Sequence, residues 1–233
     1  GGYNAGNSTN PQQAADSEYA PEKLNAFEVG SKLSFWDQAG YLNLAAFYYD
    51  YQDQQVFVNI PNSVVPYHVL KNAGDSTIYG LEAEFNWMVS NDLQVNFNAG
   101  YLPEAETGFF QQDDLVVEQT RLPFSSKYNV HGYLLYDTEI AGKLLTSQLG
   151  FDYQSDFYFD QNENPYTEQA GYMVWHGRVT LAINEQLMFS LWGKNLTNIE
   201  YAELRFDSTA AIGAVTELKG EARQLGVELS YRF

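Results

Sequence analysis

The chain has 233 residues, with 30 acidic side chains against 12 basic ones and a formal charge of −18. Phosphate affinity comes from clustered Lys and Arg, so this balance argues against a nucleic-acid binder. With no cysteine there is no disulfide framework and no thiolate metal site, and no stretch approaches the roughly 20 apolar residues of a membrane helix.

Hydrophobic residues make up 45% of the chain, yet the mean hydropathy is −0.37. Apolar and polar residues must therefore be interleaved rather than gathered in runs. No signal peptide is visible, and the opening "GGYNAGNSTN" has no Met, so the sequence reads as starting from an internal point. Period-two alternation then recurs almost from end to end. "FEVGSKLSF" sets Phe27, Val29, Leu33 and Phe35 against Glu28, Lys32 and Ser34. "YGLEAEFNW" sets Tyr79, Leu81, Ala83, Phe85 and Trp87 against Gly80, Glu82, Glu84 and Asn86. "LQVNFNAGY" and the closing "QLGVELSYRF" repeat the pattern, the latter with Glu228 and Arg232 on its polar face. In "LGFDYQSDFYFDQNE" the apolar series Leu149, Phe151, Tyr153, Phe157 and Phe159 opposes Asp152, Asp156 and Asp160.

The pattern predicts about nine strands, near 23–35, 41–57, 75–88, 92–102, 123–138, 144–159, 171–183, 187–197 and 221–233. Short turns at 36–40, 90–92, 140–143 and 184–186 alternate with long polar connections near 59–73, 104–121, 162–169 and 198–220. One tight rim and one loop-rich rim are the asymmetry of an outer-membrane barrel. The strands suit the ~9–11 residues of a tilted membrane strand. Aromatics collect near strand ends, as at Trp36, Tyr48, Trp87, Tyr101, Tyr136 and Tyr231, where interfacial girdles would lie. A soluble β-sandwich also alternates, but strand length, the regular order of connections and the aromatic placement weigh against it. The apolar face is then expected to meet lipid and the acidic face a hydrated or protein-filled lumen.

Parity adds a constraint. With tight turns in the periplasm, the first and last strands both run downward, and residues 1–22 form an extracellular segment. An odd number of strands cannot close an antiparallel barrel, so residues 23–233 read as the C-terminal portion of a larger one.

Glu82 and Glu84 are a carboxylate pair, but nothing else catalytic surrounds them, and a lumen-facing role is expected. His176 and Arg178 share the polar face of "YMVWHGRVT"; neither His176 nor either of the other two histidines, His68 and His131, has metal-ligand spacing, and a lumen-facing polar role is expected for each. Asp152 and Asp156 lie about 13 Å apart along a strand, so one ion cannot bridge them. The connection "ETGFFQQDDLVVEQTRLPF" mixes Phe109 and Phe110 with Asp113, Asp114 and Arg121. Together with Tyr158 and Asp160 these are the candidate ligand contacts, since loops on a rigid scaffold carry recognition. "NLT" at 195–197 matches a glycosylation sequon and is read as coincidence. No catalytic triad, phosphate loop or cofactor motif is present, so no enzyme, cofactor or metal is expected.

Four segments resemble TonB-dependent outer-membrane receptors, in the right order and over nearly the whole chain. They are "YAPEKLNAFEVGSKLSF", "STIYGLEAEFNW", "LWGKNLTNIEYAE" and the aromatic-terminated "GVELSYRF". The resemblance implies an all-β, antiparallel transmembrane barrel of roughly 22 strands, of which this chain supplies about the last nine. It implies an N-terminal plug domain absent from this sequence, energy delivered by TonB through that plug, and outer-membrane lipid around the wall. It also implies active import of a scarce nutrient such as a metal–siderophore, vitamin or oligosaccharide. Glu28, Lys32, Glu82, Glu84, Asp152, Asp156, His176, Arg178, Lys194, Glu228 and Arg232 are expected to face the lumen or plug. A passive porin-like or structural barrel shares every periodicity argument, and a soluble β-sheet binding domain is the remaining alternative.

Overall fold

The computed structural model describes residues 2–3, 18–59, 68–72, 74–108, 110–112, 115–117, 119–160 and 163–233. Nine long strands form one antiparallel meander: β1 (Lys23–Phe35), β2 (Gly40–Gln52), β3 (Ser76–Met88), β4 (Leu93–Thr107), β5 (Tyr128–Ile140), β6 (Lys143–Gln154), β7 (Tyr172–Ala182), β8 (Leu187–Lys194) and β9 (Gln224–Tyr231). Each pairs with the next in sequence, and the short strand Thr120–Arg121 adds to β4 off this path. Among the described residues β1 and β9 have a neighbour on one side only, so the sheet is an open arc.

Tight turns at 36–39, 89–92, 141–142 and 183–186 lie along one rim. In the β5–β6 turn Ala141 and Gly142 both have positive φ, 53° and 71°. That is the backbone of a two-residue hairpin whose twist matches the flanking strands. It pins the register from Ile140 opposite Lys143 up to Asn129 opposite Gln154.

The opposite rim carries four excursions, 53–75, 108–127, 155–171 and 195–223. The sequence predicts polar loops there, and each instead folds back as a small hairpin: Gln55–Asn59 with His68–Asn72, Phe110–Gln112 with Leu115–Val117, Phe157–Tyr158 with Glu168–Gln169, and Ala202–Ser208 with Ala214–Lys219. Two strands therefore end earlier than their alternation suggests. β2 stops at Gln52, where Asp53 turns to positive φ (56°), and β6 stops at Gln154.

Strand alternation gives the sheet two unlike faces. One presents Phe27, Leu81, Leu149 and Leu225, which are 65%, 53%, 48% and 71% exposed. A soluble protein would bury this face; here the exposed side is the apolar one. The described residues hold few buried apolar side chains: Ala105, Phe157, Phe159 and Ala202, all toward the excursions. Phe157 and Phe159 thus correct the expectation that they continue the exposed face. They lie past the end of β6 and pack on Ala202, Tyr172 and Leu204.

Aromatics bound the apolar face at both heights. Near the excursions Tyr48 sits opposite Tyr79 and Tyr101 opposite Tyr128, the second pair stacked at 5.1 Å. Near the tight turns Phe35 stacks on Phe85, and Trp36 touches Trp87 at 4.7 Å. Tyr79 and Trp87 both lie on β3, separated by about 26 Å of strand. Strand tilt reduces this to about 20 Å of height, near the ~25 Å apolar band of outer-membrane barrels.

Candidate functional site

The polar face is concave. Its register aligns one residue from each of six strands in a single cross-strand row, in the order Lys32, Asn43, Glu84, Asn98, His131 and Asp152. Glu28, Glu82, Gln154 and Tyr172 border this belt, and together they line a trough of about 1000 Å³. Glycine and alanine at Gly30, Ala45 and Gly100 keep it open.

Hydrogen bonds cross the strands along the belt. Asn43 Nδ2 donates to Glu84 at 2.8 Å, and the Tyr41 hydroxyl donates to the other carboxylate oxygen at 3.3 Å. Asn98 Nδ2 donates to Asn96 at 3.0 Å, while Asn98 Oδ1 is shut from solvent with no hydrogen-bond partner. Such an orphan acceptor is costly in a folded chain. Two strands on, Asp152 is shared by two imidazoles. His131 Nδ1 lies 2.6 Å from one carboxylate oxygen and His176 Nδ1 3.5 Å from the other. The rings are near parallel, with centroids 6.3 Å apart. His176 stands opposite Gly150, and a Cβ there would meet its Nε2 at 2.3 Å. Glycine at this position is what lets the ring lie flat against the wall.

Farther along, Arg178 bridges to Glu228 at 2.9 Å and donates to Ser190 at 3.1 Å, joining β7, β8 and β9. Lys194 lies 3.8 Å from Glu221. These pairs are exposed, so they hold geometry more than they add stability. Among the described residues no group of three His, Asp or Glu is placed to hold a metal ion.

At the excursion rim, Arg121 ties separate segments together. Its guanidinium reaches Asp156 at 3.1 Å and the carbonyls of Ser125 and Asp156, and its backbone N–H donates to Glu163 at 2.9 Å. The guanidinium also sits 5.9 Å from the centre of the Tyr158 ring. Burial, and then Glu168 and Glu163, raise the Tyr158 phenol above its ordinary pKa. Asp160 accepts from the Thr167 hydroxyl.

The ligand-contact candidates therefore divide. Arg121 and Tyr158 meet, and Asp160 lies nearby. Phe110 opens a short strand. Phe109, Asp113 and Asp114 lie outside the described residues. Of the lumen candidates, Glu28, Lys32, Glu82, Glu84 and Asp152 line the trough, and His176, Arg178, Lys194 and Glu228 share the polar face by register. Arg232 lies just past β9, its backbone N–H donating to Gln186. Asp156 does not continue the inner wall above Asp152, because β6 has already ended; it belongs to the rim with Arg121.

His131, which the sequence places among the lumen-facing polar residues, joins the belt because the two-residue turn at Ala141–Gly142 sets it opposite Asp152. One residue left no readable signal. Asn195, passed over within "NLT", is 2% exposed and has positive φ (48°). Its side chain accepts from the Ile199 N–H and donates to the Ile199 and Glu221 carbonyls, each at 2.9 Å. It closes the base of the 195–223 excursion.

The family described as "TonB dependent receptor-like, beta-barrel" matches residues 1–196. No curated protein sequence matches significantly. Among solved structures, the ferric yersiniabactin uptake receptor FyuA from Yersinia pestis superimposes with a TM-score of 0.76 at 19% identity over 92% of this chain and 30% of its own. The siderophore receptor PiuA from Acinetobacter baumannii gives 0.70 at 19% identity over 92% and 29%, and the copper transporter OprC gives 0.71 at 13% identity over 97% and 34%. The chain thus spans about a third of the length of the solved receptors it resembles. The open antiparallel arc, with its apolar outside and polar inside, is part of their barrel, and the chain belongs to the TonB-dependent receptor β-barrel family.

Proposed function

We propose that this chain forms wall and extracellular rim of an outer-membrane receptor that imports a scarce nutrient with energy delivered by TonB. The observation that carries the reading is the polar belt from Lys32 to Asp152 on the concave face. A wall that is polar across six neighbouring strands offers a plug domain hydrogen-bonding partners along the whole trough. Polar docking also lets a plug rearrange without breaking a hydrophobic core. In this reading the plug lies outside residues 1–233, and lipid meets the face bearing Phe27 and Leu225. Residues 1–22 stand on the extracellular side; Glu22 accepts from the Gln55 N–H, and Ala20 pairs with Asn72, on the rim of the long excursions. Metal–siderophore complexes, vitamins and oligosaccharides are the candidate cargoes, with Arg121, Tyr158 and Asp160 on the rim that would meet them.

The test is the mature polypeptide isolated from outer membranes, by intact mass and N-terminal sequencing. A mass several times that of 233 residues, beginning with a plug-like sequence, supports the receptor. A mass equal to this chain alone sinks it in favour of a small or oligomeric barrel. In the full receptor, replacing Glu82, Glu84 and Arg178 together should reduce uptake; unchanged uptake would remove the inner wall from the mechanism.

A further inference from the structure

Two of the chain's three histidines converge on one carboxylate of the inner wall. His131 and His176 come from β5 and β7, the strands on either side of the one that carries Asp152, and Gly150 leaves the space that His176 fills. Histidine is the side chain whose charge ordinarily changes between pH 5 and 8. We infer that the His131–Asp152–His176 brace is a proton-responsive element that sets how firmly the lumen holds its occupant. The inference rests on the plugged-receptor reading above.

The charges around the brace fix the sign. β1 contributes Glu28 and Lys32, β3 contributes Glu82 and Glu84, and β6 contributes Asp152. β2 and β4 present Asn43, Asn98 and Gly100 there, with the Tyr41 phenol bound to Glu84. β5 adds the Tyr133 phenol against His131, and β7 adds the Tyr172 phenol, bound to Gln154. On β7 to β9 the Arg178 guanidinium is matched by Glu228, and Lys194 lies beside Glu221. With neutral imidazoles the trough therefore carries an excess of three negative charges, Glu28, Glu82, Glu84 and Asp152 against Lys32. It suits an occupant with a cationic, hydrogen-bond-donating face. Protonating both imidazoles adds two positive charges beside Asp152 and leaves an excess of one. In a site sheltered from bulk water such a change is weakly screened, so acid loosens the occupant's hold.

The experiment uses the full-length receptor in planar bilayers, reading ion conductance as urea is raised, at pH 7.5 and pH 5.5. The wild type should open at lower urea at the acid pH, and conductance at a fixed intermediate urea concentration should rise several-fold. The His131→Asn/His176→Asn double variant, checked for folding by heat-modified electrophoretic mobility, should lose that difference. Gly150→Ala tests the same element without touching a titratable group. Its methyl displaces His176 from Asp152, and the pH difference should shrink while His131 still responds. A double variant that keeps the wild-type difference, or a wild type with none, overturns the inference and leaves the receptor reading standing. Free conductance at both pH values without urea overturns both, because no occupant then fills the barrel.

Discussion

Two parts of the excursion rim are held down by different physics. The 155–171 and 195–223 excursions share a buried aromatic centre. Phe157 and Phe159 pack on each other at 5.0 Å and on Ala202, and Phe124 covers them at 5.3 Å from Phe159. Gln169 accepts from the Ala202 N–H, Tyr172 stacks on Tyr201 at 4.6 Å, and Arg205 pairs with Glu217 while reaching the Glu168 carbonyl. The 53–75 excursion has none of this among its described residues. It is held by exposed polar contacts, such as Asn72 Nδ2 to the Ala20 carbonyl and the Asp53 N–H to Asp75. Apolar burial is cooperative and non-directional, whereas exposed hydrogen bonds exchange readily with water. The first region should behave as a fixed wall and the second as the part of the rim that opens.

Truncating the centre gives the largest expected effect. Phe157 is 4% exposed, and Phe→Ala in a packed core costs roughly 3–5 kcal/mol. In Phe157→Ala, backbone amides of Ala202–Ser208 should lose hydrogen-exchange protection by orders of magnitude, while those of β3 to β6 stay protected. Asn72→Ala should change exchange in 53–75 by less than about 1 kcal/mol, since its contacts are exposed. Equal losses from the two substitutions would erase the distinction between the regions.

Asn195→Asp comes next. The substitution keeps the shape and the acceptor for the Ile199 N–H but removes both donors, setting a carboxylate against the Ile199 and Glu221 carbonyls. Leaving buried acceptors unpaired costs about 1–3 kcal/mol. The base of 195–223 should then become open to limited proteolysis in the folded receptor, with the aromatic centre still protected. Cleavage indistinguishable from wild type would show that the aromatic centre alone secures this excursion.

This contrast also explains what the sequence could and could not disclose. The nine wall strands and the alternating rims were legible because each strand carries its own period-two pattern and each tight turn its own breaker residues. The end of β6 was not. Alternation in "GFDYQSDFYFD" runs on past Gln154, because periodicity reports which way side chains point and not whether a neighbouring strand continues the ladder. Phe157 and Phe159 therefore looked like lipid-facing residues. The inner belt was half legible. Glu82 and Glu84 share a strand and declared themselves, whereas His131, Asp152 and His176 meet only through the register of three strands. Asn195 was hidden for another reason: its partners are backbone groups, which leave no mark in a sequence.

The smallest expected effect lies at the tip of the fixed region. Asp207 accepts from the Thr209 N–H at 2.9 Å and from Asn164 of the neighbouring excursion. Hydrogen bonds from the Thr209 side chain first, then from its backbone and from Asn164, lower the Asp207 pKa below its ordinary value. A carboxyl whose pKa is lower folded than unfolded binds its proton more weakly in the folded state. Its stabilisation is present above the unfolded value, about pH 4, and fades as pH falls through the lower folded value. The turn at Thr209–Ile212 should thus loosen only below about pH 4, with faster exchange of the Thr209 amide, while the Phe157 centre is unaffected because its side chains, Phe157, Phe159, Ala202, Leu204 and the Tyr172 phenol, do not change charge in acid. Asp207→Asn should remove that acid-dependent step. Acid loosening that instead begins at the aromatic centre would mean the tip and the centre are one cooperative unit, and the fixed wall would extend over the whole excursion.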